Sequence, residues 1–215
     1  MINPGSLIVS VQARPDSALR RPEILAAIAE EVVKGGASAL RIQGIEAIAM
    51  VRKVVDVPII GLIKTERYGF DAYITAASDE VEAVKYAGAD CVAIDATDRN
   101  RPEPIADLFA RAKEVGLEIF ADLATVAEGL NAQVLGADYV ATTMAGYTQD
   151  RAATVGPDFE LLEQLIAQLT IPVILEGRVS TAEQVRLALD MGAHAVVVGR
   201  AVTAPRTITE ALHRR

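Results

Sequence analysis

Apolar residues in this chain fall in short, dense runs, and between the runs lie stretches with helical periodicity. Four of the runs open with Gly-Ala and pass into a largely β-branched stretch: GASALRI from Gly36, GADCVAI from Gly88, GADYVAT from Gly136 and GAHAVVV from Gly192. They recur at intervals of 52, 48 and 56 residues, the mark of an internal repeat. Between them lie VPIIGLIK ending at Lys64, LEIFADLA around Asp122 and IPVILEGR around Glu176, and SLIVSVQA opens the series. The intervening segments, such as PEILAAIAEEVVKGG, PIADLFARAKEVG and TAEQVRLALDMG, read as helices, most of them closed by Gly. Runs that are apolar on both faces and alternate with helices are parallel strands covered by helices. Eight strands and eight helices in 215 residues predict an α/β fold, a closed (β/α)8 TIM barrel forming one domain over residues 1–215. A doubly wound sheet fits less well, because no GxGxxG follows the first strand. The Gly-Ala pairs start the even-numbered strands, so the repeating unit is βαβα. Their small side chains let each helix end pack closely on the next strand.

Composition narrows the function. Half of the chain is hydrophobic, 51%, yet no apolar run approaches the roughly 20 residues that cross a bilayer. The first residues, MINPGSLIV, lack the basic and long apolar regions of a cleaved signal, so the expected compartment is the cytoplasm. Acidic residues outnumber basic ones by 29 to 21, a formal charge of −8, and no Lys/Arg block offers a track for a phosphate backbone. Nucleic acid is not an expected partner. One cysteine and two histidines exclude an internal disulfide and a dense zinc site. A monomer and a homodimer are both compatible with the sequence.

In such a barrel the chemistry is built at the C-terminal strand ends. Read in order, those ends are Gln12, Arg41, Lys64, Asp95, Asp122, Thr142 with Thr143, Glu176 and Gly199. Alternation places Ser10, Ala39, Leu62, Ala93, Phe120 and Ile174 in the layer beneath, and Cys91 deeper still as an inert filler. Lys64 ends an apolar strand, where desolvation lowers an ammonium pKa and suits it to act as a base or an imine-forming amine; the plainer reading is an ion pair with a neighbouring strand-end acid. Glu176 reads as an acid or base opposite Lys64, or as the partner of Arg41. Asp95 reads as a structural partner of Arg99 or Arg101, and Asp122 as an acid that positions a base or bonds a hydroxyl. Arg41 and Gln12 are donors suited to a polar or anionic substrate. Gly177 and Gly199 follow strands seven and eight, where backbone N–H groups and the start of a short extra helix bind phosphate in many barrels. His194 starts strand eight at the opposite face, and His213 lies in the C-terminal tail. Neither is a candidate. No metal is expected, since one would compete with Lys64 for the same volume.

The run VQARPDSAL near the N-terminus, GIEAI, PIIGLIK, ADCVAIDATDRNRP, ADLATVAEG, GADYVATTMAGYT, VILEGRVST and GAHAVVVGRAVTAP, in this order, resemble the N-acylglucosamine-6-phosphate 2-epimerase family across essentially the whole chain. These are bacterial enzymes converting N-acetylmannosamine 6-phosphate to N-acetylglucosamine 6-phosphate in amino-sugar and sialic acid catabolism. The resemblance implies a ribulose-phosphate-binding type of barrel and a cofactor-independent isomerase. It also implies Lys64 and Glu176 as the catalytic pair, sugar contacts or orientation from Gln12, Arg41 and Asp122, and phosphate on the loops of Gly177 and Gly199. Two positions depart from the family: Val11 stands for its usual Cys, and Ala204 for an arginine before the proline that follows strand eight. Arg200 and Arg206 are the candidates to replace that arginine, Arg200 being taken with the substrate-binding set. The alternatives left open are a Schiff-base aldolase on a related sugar phosphate and a non-catalytic sugar-phosphate binder.

Overall fold

A computed structural model, describing residues 1–213, gives eight parallel strands in the order β1 to β8, the last hydrogen-bonded to the first. They are β1 (Ser6–Val11), β2 (Ala39–Gln43), β3 (Ile59–Leu62), β4 (Cys91–Asp95), β5 (Glu118–Asp122), β6 (Tyr139–Ala141), β7 (Val173–Glu176) and β8 (Ala195–Val198). The helices are α1 (Pro22–Lys34), α2 (Ile45–Arg52), α3 (Ser78–Tyr86), α4 (Ile105–Glu114), α5 (Val126–Leu135), α6 (Phe159–Gln168), α7 (Ala182–Asp190), α8 (Arg200–Thr203) and α9 (Pro205–His213). The eight expected helices are α1 to α7 and α9, and α8 is the short turn foreseen after Gly199. The fold is the (β/α)8 barrel that the pattern predicts.

Two apolar layers follow from strand alternation. Ile8, Ile60, Leu62, Phe120 and Ile174 fill the barrel interior together with Ala39 and Ala93. Cys91 lies among them, its thiol pushed well above its usual pKa by burial. Leu40, Ile42, Ile59, Val92, Ile94 and Val196 face outward against the helices. Gly61 faces outward as well, because a Cβ there would meet Val84, Ala89 and Ile48 at 2.7–2.9 Å.

The repeat has a backbone cause beyond size. Gly36, Gly88, Gly136 and Gly192 all have φ between 88° and 107°, a region that residues with a Cβ rarely enter. Each following alanine, at 37, 89, 137 and 193, is buried. At the N-terminal face the Ile2 N–H donates to the Tyr139 hydroxyl at 3.0 Å, and His194 Nε2 lies 2.9 Å from the Ile2 carbonyl oxygen. His194 is therefore committed to closing the end of the barrel away from the strand C-termini.

Gln12, Thr142 and Gly199 each lie one residue past their strands, and two positions differ further from the sequence reading. Arg41 is not the end of β2 but its middle residue, in register with Ser10 and Ile60, and the strand runs on to Gln43. Lys64 lies beyond the end of β3, in an antiparallel bridge to Ile74. The chain doubles back there, with Thr65 N–H donating to the Tyr73 carbonyl at 3.0 Å and Thr75 N–H to the Ile63 carbonyl at 2.8 Å. Lys64 thus rides on a hairpin standing above the barrel rim.

Candidate active site

The C-terminal mouth holds a cavity of about 730 Å³. Gln12, Arg41, Lys64, Glu176, Gly177, Gly199 and Arg200 all line it, so seven of the eight expected site residues share one space. The eighth, Asp122, lies behind them. It ends β5, is fully buried and does not reach the lining. At this position its carboxylate is engaged by Arg41 and Thr143.

Asp122 holds Arg41. The Arg41 Nη1 donates to Oδ1 at 2.8 Å and Nη2 to Oδ2 at 2.7 Å, a fork-to-fork pair in which both side chains are withdrawn from water. Below the guanidinium lies the Phe120 ring, 5.2 Å from its carbon, which fixes its plane from the apolar side. From the other side Glu176, at the end of β7, brings Oε2 to 3.1 Å from Nη1. That contact is close but not aligned as a hydrogen bond, and Glu176 Oε2 and Arg41 Nε are buried polar atoms without a partner. One guanidinium so placed neutralises Asp122 and leaves Glu176 incompletely compensated. Burial accordingly pushes the Glu176 carboxyl up to about 7, against the opposing pull of Arg41, Thr143 and Lys64.

Lys64 is the counterpart. Its ammonium donates to Gln12 Oε1 at 2.8 Å, and Gln12 Nε2 in turn donates to Ser10 Oγ at 2.8 Å, which fixes the amide's orientation. The side chain is open toward the cavity but has protein on its remaining sides. Desolvation and then the positive charge of Arg41 lower its pKa, against smaller raising effects of Glu176 and Asp122. Burial thus works in opposite directions on the two groups and brings their proton affinities toward each other.

Asp95 takes the structural course. It is fully buried and accepts from Arg99 Nη2 and the Thr97 hydroxyl, both at 2.5 Å, with Arg101 3.9 Å away. With Asp95 and Asp122 engaged by arginines, the strand-end carboxylates are not left free as a ligand set. Among the described residues no group of three or more His, Cys, Asp and Glu is arranged to hold a metal ion.

On the opposite side of the mouth, Gly177 has φ of 116° and Arg178 follows at 58°, an uncommon conformation for a residue with a side chain. Arg178 is held there by its own side chain, which donates to the carbonyls of Gly156 at 2.7 Å and Ala145 at 2.9 Å and so staples the loop after β6 to that after β7. Of the two arginines expected to compensate for Ala204, Arg206 is paired with Asp16 at 2.7 Å and does not line the cavity. Arg200 does line it, with only the Tyr147 hydroxyl near, at 3.4 Å, and no carboxylate partner among the described residues.

Sequence reading did not single out Gln43, Arg20, Tyr73 or Tyr147, which also line the cavity. Gln43 was hidden because β2 runs two residues past Arg41. Tyr73 was hidden because nothing in a loop sequence announces that it folds back against Lys64.

Comparison with known proteins identifies the family. A family model described as "Putative N-acetylmannosamine-6-phosphate epimerase" matches residues 25–214. A Clostridioides difficile (strain 630) protein named "Putative N-acetylmannosamine-6-phosphate 2-epimerase" is 41% identical over 208 residues, covering 96% of this chain and 93% of that protein. A protein of the same name from Cutibacterium acnes is 44% identical over 210 residues, covering 95% and 91%. A solved structure of the N-acetylmannosamine-6-phosphate 2-epimerase from Clostridium perfringens superposes with a TM-score of 0.96 at 40% identity, covering 98% of this chain and 93% of that one. No helix among the described residues is long and apolar enough to cross a membrane. With matches of this extent along nearly its full length, the chain belongs to the N-acetylmannosamine-6-phosphate 2-epimerase family.

Proposed function

We propose that this chain inverts C2 of N-acetylmannosamine 6-phosphate to give N-acetylglucosamine 6-phosphate, as a single-domain cytoplasmic isomerase using protein side chains alone. The observation that carries the reading is that Lys64 and Glu176 line one cavity with Arg41, whose charge acts on both, and that their proton affinities are drawn together. Inversion at C2 requires an open ring, so that the C2–H bond lies α to the C1 aldehyde. Neutral Lys64 takes the C2 proton, and the electron pair of that bond moves into an enolate whose negative charge builds on the C1 oxygen. Arg41, already oriented by Asp122, stabilises that charge without having to reorganise. A proton then returns to C2 on the other face, from the protonated Glu176 carboxyl or from the same lysine after the intermediate turns. Gln12 holds the lysine amine in place through both stages. The phosphate is placed at the loops of Gly177 and Gly199 with Arg200 beside it.

Two measurements test this reading. Lys64→Arg keeps the positive charge but cannot lose its proton, so turnover should fall about 100- to 10,000-fold; turnover within a few-fold of the natural protein would contradict the assignment of the base. Unphosphorylated N-acetylmannosamine should show a much lower kcat/KM than the 6-phosphate, and equal values would remove the phosphate subsite.

A further inference from the structure

Two adjacent threonines tie together three strands at the mouth, and the reaction as described uses neither. β6 stops at Ala141, and the chain turns into a single 3-10 turn at Thr142–Met144, while its neighbour β7 continues to Glu176. The Thr142 hydroxyl takes over where the strand leaves off. It donates to the Glu176 carbonyl oxygen at 2.9 Å and accepts from the Glu176 N–H at 3.0 Å, satisfying backbone groups that β6 no longer reaches. With Thr142 committed to β7, the next residue faces β5, and the Thr143 hydroxyl donates to Asp122 Oδ1 at 2.6 Å. Asp122 Oδ1 therefore has two donors, Thr143 and Arg41 Nη1, and Oδ2 has one, Arg41 Nη2.

We propose that Thr143 is a positioning residue for the epimerase reaction: its hydroxyl takes up part of the negative charge of Asp122 and so determines how much of the Arg41 guanidinium remains for Glu176. The inference rests on the epimerase reading. The charged groups facing Glu176 are Arg41 on β2, Lys64 beyond β3 and Asp122 on β5, while β8 presents Val197, its register partner. Arg41 is the shared member of this group, lying between two carboxylates inside a barrel that screens charge poorly. Removing the Thr143 hydroxyl takes away its own lowering effect on the Glu176 carboxyl and leaves the Asp122 charge less compensated. Arg41 is then drawn further onto Asp122, repulsion between the carboxylates rises, and Glu176 holds its proton to higher pH.

The test compares the pH dependence of kcat and KM for N-acetylmannosamine 6-phosphate in the natural protein, T143V and T143S. Valine keeps the shape and loses the hydroxyl, whereas serine keeps the hydroxyl. T143V should lower kcat about tenfold at neutral pH with KM changed less than about twofold. The limb of the profile set by Glu176 should move up by about half a pH unit or more. T143S should restore both. A T143V profile superimposable on that of the natural protein overturns the proposal, and so does a T143S variant as impaired as T143V. If T143V does not fold, T143A stands in for it with the same expectations. A 13C NMR titration of the Glu176 carboxyl in each protein reads the same shift without turnover. An inactive natural protein would therefore overturn the epimerase reading, while the titration still decides whether Thr143 controls Glu176.

Discussion

Arg41 and Asp122 form a two-pronged ion pair inside the barrel, with Nη–Oδ distances of 2.8 and 2.7 Å and neither side chain more than 1% exposed. Two strands meet in this pair. β2 brings the guanidinium up two residues before its own end, β5 ends on the carboxylate, and Phe120, two residues earlier on β5, supports the guanidinium from below. Breaking such a pair leaves an uncompensated buried charge, which is worse than never having formed it.

Asp122→Asn tests the pair. It keeps the shape and removes the charge, leaving Arg41 with Glu176 as its nearest carboxylate, so stability should fall by about 3–5 kcal/mol in urea titration. The Glu176 limb of the rate profile should move to lower pH, because the repulsion that raises it is gone and the attraction of Arg41 is undivided. Unchanged stability together with an unmoved limb would show that the pair does not control the site.

The raised carboxyl of Glu176 has a stability consequence of definite sign. Its proton is held more tightly in the folded protein, with a pKa of about 7 against 4.5, so this contribution to stability is complete below pH 4.5 and is lost as pH rises through 7. Glu176→Gln cannot ionise and escapes the loss. Relative to the natural protein it should gain about 3 kcal/mol between pH 4.5 and pH 8, read from unfolding midpoints at the two pH values. A difference between the two proteins that is the same at both pH values would contradict the account.

Gly61 tests the packing that carries Lys64. A methyl group at this point in β3 meets Val84, Ala89 and Ile48 at 2.7–2.9 Å, distances that only a shift of α2 or α3 relieves. Gly61→Ala should cost about 1–3 kcal/mol. Activity per folded molecule should fall as well, since the displaced strand carries the hairpin of Lys64. Full stability in the variant would mean that the layer between β3 and its helices is looser than described.

The barrel was legible because its repeat is stated locally four times: a glycine required by positive φ, a buried alanine, and a short buried strand. Residues lining the mouth were legible for a related reason, since a polar residue closing an apolar run has few places to go except the mouth. What stayed hidden depends on where hydrogen bonding stops rather than on polarity. Arg41 lies inside β2 because Gln43 continues the ladder with Leu62. Lys64 is carried past β3 by a hairpin closed with its neighbour Ile74 and with Tyr73 and Thr75. Thr142 and Thr143 appeared only as polar strand ends, because the 3-10 turn that sends their hydroxyls to different strands has no counterpart in residue type. The pairing of Arg206 with Asp16, a contact spanning 190 residues, was likewise not announced by residue type.

The central claim is that C2 is inverted by removing and returning its proton at the Lys64–Glu176 mouth. Proton NMR of N-acetylmannosamine 6-phosphate incubated with the protein in D2O tests this most directly. The account predicts N-acetylglucosamine 6-phosphate that carries deuterium at C2, formed at a rate unaffected by EDTA. Product that keeps protium at C2, or an unconverted substrate whose C2–H signal persists undiminished, would contradict it.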